Sequence, residues 1–179
     1  MKKLARFVSI TILGACATLA GTTPCVADST KKNWTAPAQK IYAQTLSDET
    51  MAKHPELLSI TLHGVPPGQD NVYTMFAGSY LERIGNPDDP DDIDVSRKGI
   101  TILDPRWHRT NDTDKKFVVL MPMREKSGEN IGLVVYAFKN PKNPSTSAAE
   151  KEYLEKATVL RDSLAAQIST YKALFDPAK

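Results

Sequence analysis

The sequence predicts an α+β domain, with an antiparallel sheet of about five strands, an N-terminal helix and a long C-terminal helix. Three observations carry this reading. Short apolar or alternating segments follow one another through links of hairpin length, which antiparallel pairing permits and parallel pairing does not. Helical periodicity marks both ends of the region, and terminal helices on one face bury what a lone sheet would expose. The composition, 41% hydrophobic and 25% charged, is that of a chain able to bury a core.

Taken in order, the first helix runs from about Ala36 to Lys53. Pro37 suits a first helical position, and Ala38, Ile41, Tyr42, Thr45 and Leu46 share one face. His54-Pro55 ends it, because a residue before proline is pushed out of helical geometry. Leu58, Ile60 and Leu62 then alternate with Ser59, Thr61 and His63, as in a half-buried strand. Pro66-Pro67-Gly68 marks a turn region, and Val72 to Ser79 reads as the second strand.

An acidic loop follows, Gly85-Asn86-Pro87-Asp88-Asp89-Pro90-Asp91-Asp92-Ile93-Asp94, and starts a short helix through Lys98. Carboxylates favour a helix N-terminus, where the backbone dipole is positive and the N–H groups are unpaired. The next strands are Ile100 to Leu103, Phe117 to Met123 and Ile131 to Phe138. The last is apolar on both faces and therefore central; Pro122 points to an edge or a bulge in its neighbour. A hairpin turn at 125–130, with Gly128, joins these two strands. Ser147 and Glu150 have capping-box spacing, and Tyr153, Ala157, Leu160, Leu164, Ile168, Tyr171 and Phe175 form one continuous helical stripe stopped by Asp176-Pro177.

Ahead of this domain, residues 1–27 read as an export signal. Lys2, Lys3 and Arg6 form a positive segment, an apolar run follows from Phe7 to Gly21, and small residues end at Ala27. Roughly 15 apolar residues are too few for a permanent membrane span. Leu13-Gly14-Ala15-Cys16 resembles a lipobox, so lipidation at Cys16 is the alternative to cleavage after Ala27. Residues 28–35 form a tether, and 36–177 form a single domain. Both cysteines lie in the leader, and a thiol-free remainder suits an oxidising periplasm. Without the leader the chain carries 20 basic against 21 acidic residues, which gives no electrostatic footprint for nucleic acid.

The Ser59-Ile60-Thr61-Leu62-His63-Gly64 strand, the Gly85 to Asp92 loop, Gly99, the Phe117 to Met123 strand, Ser127-Gly128 and Ile131 to Val135 together resemble the Cache family of PAS-like extracytoplasmic sensory domains, in stand-alone periplasmic form. The similarity spans about Ala38 to Phe175. It implies a small molecule held between one sheet face and the loops over it. It also implies signalling through an envelope or membrane partner protein, since no membrane span or output domain is read in the chain. Arg106-Trp107-His108 departs from the Arg-x-Trp-Tyr of amino-acid-binding members.

Arg106 and Trp107 are the first candidate contacts: a guanidinium clamps a carboxylate and an indole gives a flat wall, although a surface loop with Trp107 packed on the core has the same composition. His63 is a hydrogen-bond donor to such a ligand or simply a satisfied strand-end histidine. Tyr73 and Tyr136 either line the same cavity or belong to the core. No metal site or cofactor is expected, because His54, His63 and His108 lack ligand spacing and the Asp88 to Asp94 cluster reads as a solvated loop and helix cap. No nucleophile elbow, phosphate-cradling glycine loop or thiol supports catalysis. The expected function is non-catalytic binding of an anionic or amphipathic organic molecule in the periplasm. The alternative is a ligand-free interaction module docking to an envelope receptor or transport system.

Overall fold

The computed structural model describes residues 31–105, 115–140, 142 and 146–178. The expected leader with Cys16, and the candidates Arg106 and Trp107, lie outside the described residues.

Five strands, β1 (Leu57–Gly64), β2 (Thr74–Gly78), β3 (Ile102–Pro105), β4 (Lys116–Arg124) and β5 (Asn130–Lys139), form one sheet in the order β2-β1-β5-β4-β3. Every pairing is antiparallel, so the α+β class predicted from linker length holds. β5 is central, as its two-sided apolar character requires. Pro122 sits beyond the end of β3, whose pairing with β4 stops at Leu120, so its missing N–H costs no ladder bond on that side.

Strand periodicity divides the side chains cleanly between two faces. Ile60, Leu62, Phe117, Val119, Met121, Val134, Tyr136 and Phe138 pack beneath α1 (Tyr42–Lys53) and α3 (Ser147–Ala165). Phe117 stacks on Tyr153 at 4.5 Å between ring centres, and Phe76 lies 4.8 Å from Phe175. Val118, Leu120, Leu133 and Ala137 face the other way and meet Val95 of α2 (Pro90–Lys98). Among the described residues no helix is long and apolar enough to cross a membrane.

Strand ends differ from the sequence expectation by one or two residues, and the helices differ in three places, the first two through tertiary bonds and the third through a local cap. Helix α1 starts at Tyr42 rather than Ala36, because the amide of Tyr42 donates to Asp176 O (2.8 Å) and that of Ala178 to Lys40 O (2.8 Å), pairing this stretch with the C-terminal segment. The C-terminal stripe is not one helix. α3 ends at Ala165, and Ile168, Tyr171 and Phe175 belong to a separate segment closed by a 3-10 turn at Lys172–Phe175. Ser169 and Thr170 offer the backbone competing bonds there, and Thr170 Oγ1 accepts from the amide of Ala173. The β4–β5 turn holds the segment in place: Lys126 N donates to Ile168 O (2.8 Å), and Tyr171 N donates to the Glu125 carboxylate (3.0 Å). The α3 cap is Thr146, one residue before the expected Ser147, and its hydroxyl accepts from Ala149 N.

Candidate functional site

The polar side of the sheet holds the candidate site. Ser59, Thr61 and His63 project from β1 beside Val118, Leu120, Val135 and Ala137, while Tyr80, Arg83 and the start of α2 rise over them. Together they enclose a cavity of about 230 Å³. A larger hollow of about 360 Å³ lies beside α1, but the polar groups facing it are already satisfied. Gln44 bonds both backbone groups of Gly78 (3.0 and 3.1 Å), and Lys40 pairs with Asp48 at 2.7 Å.

His63 follows Ser59 and Thr61 in alternation on the cavity side, and the register of β1 against β2 shifts just before it, between Leu62 and His63. Its side chain is only 10% exposed, and both ring nitrogens are engaged. Nδ1 lies 2.7 Å from Asp88 Oδ1, and Nε2 lies 2.7 Å from Thr61 Oγ1. An ionised carboxylate only accepts, so with Asp88 in that form Nδ1 carries the proton. A neutral ring then accepts at Nε2 from the Thr61 hydroxyl, which leaves the Thr61 oxygen lone pairs toward the cavity.

Asp88 reaches His63 because its loop is pinned to the start of β2. Its amide donates to Tyr73 O (3.1 Å), and Pro87 bridges Thr74. The Asp88 side chain is fully buried, and its Oδ2 has no hydrogen-bond partner among the described residues. One residue on, Asp89 and Asp92 cap α2 reciprocally, Pro90 begins the helix, and Gly99 ends it in left-handed geometry (φ 67°). Burial holds the Asp92 carboxyl above the usual range, with Asp88 and Asp91 adding to the rise; His63 and the bond from Asp89 N oppose it. The expectation of a solvated acidic loop therefore holds for the cap but not for Asp88, which is a buried partner of His63.

Carboxylate, imidazole and hydroxyl in series have the order of a nucleophilic triad. Thr61, however, lies mid-strand between β2 and β5, where backbone amides serve the ladder rather than an oxyanion. The series instead fixes His63 and orients Thr61.

Of the predicted contacts among the described residues, only His63 lines this cavity. Tyr73 precedes β2 and is absent from the lining; its carbonyl holds the loop, accepting from Asp88 N and from Asn33 Nδ2 (3.0 Å). Tyr136 corrects the expectation that it lines the cavity. The alternation of β5 points it beneath α3, where it is fully buried, its hydroxyl is without a partner among the described residues, and burial pushes its ionisation well above the usual phenol range. Thr61, Asp88 and Arg83 were missed. The alternation already placed Thr61 beside His63, but no local pattern links His63 to a loop 25 residues on.

No protein-family model and no curated protein matches the chain. Solved structures similar to parts of it include the sensor domain of Escherichia coli DcuS, at 14% identity over 61% of this chain and 71% of that one, with a TM-score of 0.38. A GAF domain of A. aeolicus nlh2 matches at 11% identity over 76% and 85%, TM-score 0.46. The inducer-binding domain of Acinetobacter PobR, solved with 3-hydroxybenzoic acid, matches at 13% identity over 72% and 95%, TM-score 0.42. At such identities, and with TM-scores below 0.5, these likenesses assign the chain neither a family nor a function.

Proposed function

We propose that the chain is a non-catalytic, exported binding domain, sensory or accessory to uptake, that holds a small anionic or amphipathic organic molecule between the sheet and α2. The observation that carries this reading is the cavity over Ser59, Thr61 and His63, which has polar groups on its sheet wall and, at its rim, Arg83 and Lys116 facing the carboxylates of Asp89, Asp91 and Asp92. Its volume, about 230 Å³, lies below the usual range for drug-sized ligands and limits the occupant to a compact molecule. Arg83, whose guanidinium lies 5.5 Å from the Tyr80 ring centre, and Lys116 supply charge for a carboxylate. Thr61 supplies a polar contact held in place by His63. Arg106 and Trp107, which follow β3 in the sequence, remain proposed contacts by the chemistry of their side chains. An unfilled polar cavity favours ligand binding over a ligand-free docking module. The positive segment and apolar run of residues 1–27 support export to the periplasm, where the loaded domain would act through an envelope partner.

Thermal-shift screening against small organic acids tests the reading. A stabilising acid is expected, with Arg83→Ala or Arg106→Ala raising its Kd about tenfold or more. A hit that neither substitution weakens would remove the arginines from the site, and a screen of acids without a hit would overturn the ligand class.

A further inference from the structure

We propose that His63, Asp88 and Asp92 form a binding site for one divalent transition-metal cation. Donor atoms of the three residues lie within 4.8 Å of one another, although they come from a strand, a loop and the first turn of a helix. A tetrahedral zinc ion, with metal–ligand distances of about 2.0–2.2 Å, wants its donors about 3.3 Å apart, which small side-chain rotations supply. On binding, the single proton of the neutral ring moves from Nδ1 to Nε2, which then donates to Thr61 Oγ1. The second observation is Asp88 Oδ2, a carboxylate oxygen buried without a partner among the described residues. A native fold rarely leaves a buried acceptor unmatched, and an ion is one of the few partners that fits among other carboxylates.

The donor set selects the class. One imidazole nitrogen with two carboxylates suits zinc and its first-row neighbours, whereas calcium and magnesium prefer oxygen alone. The N-terminus of α2 opposes a cation with about half a positive charge. Asp88, Asp89, Asp91 and Asp92 outweigh it, since they bring four carboxylates to the same turn. The backbone bonds that pin Asp88 and the capping of Asp92 position the two carboxylates before an ion arrives. The site does not depend on an organic ligand, and zinc alone probes it.

The experiment titrates Zn²⁺ into the full chain with its two cysteines alkylated, followed by calorimetry and by long-range ¹H–¹⁵N spectra of the histidine rings. One equivalent bound below about 100 μM is expected, with the His63 ring nitrogens shifting and those of His54 and His108 unmoved. Asp88→Asn and Asp92→Asn should each weaken binding about tenfold or more, while Asp91→Asn leaves it unchanged. If Asp88→Asn fails to fold, the His63 signal in the unaltered chain decides. No binding, a shift at another histidine instead, or an equal loss in Asp91→Asn (the mark of diffuse attraction to surface acids) would each overturn the proposal.

Discussion

The two faces of the sheet are built from the same strands and do opposite things. Under α1 and α3, Phe117, Tyr136 and Phe138 are fully buried and fill the interior. Under α2, Ser59, Thr61 and His63 take the matching positions on β1 and leave a cavity of about 230 Å³. Period-two alternation is what permits this: from Ser59 to His63 the odd residues of β1 face the cavity while Ile60 and Leu62 face the core. The face that holds the fold together is thereby separated from the face free to vary in chemistry.

The largest effect should come from breaking the closed face. Phe138→Ala is expected to cost about 3–5 kcal/mol in urea unfolding, while Val135→Ala on the α2 face, already partly exposed, costs about 1 kcal/mol. Equal costs would mean that the two faces share the load. Thr61→Val sharpens the contrast from the other side. It strands the buried His63 Nε2 and should cost about 1–2 kcal/mol, with a greater loss in ligand affinity than Val135→Ala produces. The smallest effect has the opposite sign. Tyr136→Phe removes a buried hydroxyl that has no partner among the described residues, and should stabilise the domain by about 1 kcal/mol in the same unfolding experiment. Destabilisation by that change would show that the hydroxyl does have a role.

How much of this was legible in the sequence follows from the range of the interactions. The central strand, the cap of α2 and the apolar face of α3 are written in neighbouring residues, because alternation, capping and helical spacing are local rules. The break after Ala165 was not legible. The stripe through Ile168, Tyr171 and Phe175 keeps helical spacing, yet Glu125 and Lys126, some forty residues earlier, hold the backbone in another course. The site divides the same way. His63, with Ser59 and Thr61, could be placed on one polar face, whereas Asp88 joins them only because a bridge from Thr74 to Pro87 swings its loop inward. Tyr136 takes the core alternative of its two readings, because the alternation that turns Val135 and Ala137 toward α2 turns it to the other side.

Helix α2 buries a single residue of its own, Val95, against five for α3, and covers Val118, Leu120, Leu133 and Ala137 of the sheet. Lifting it exposes that valine and the four side chains beneath it, whereas lifting α3 would expose the aromatic cluster around Phe117, Phe138 and Tyr153. Opening of the fold therefore starts over the cavity, and amide exchange should be faster on the α2 side than under α3.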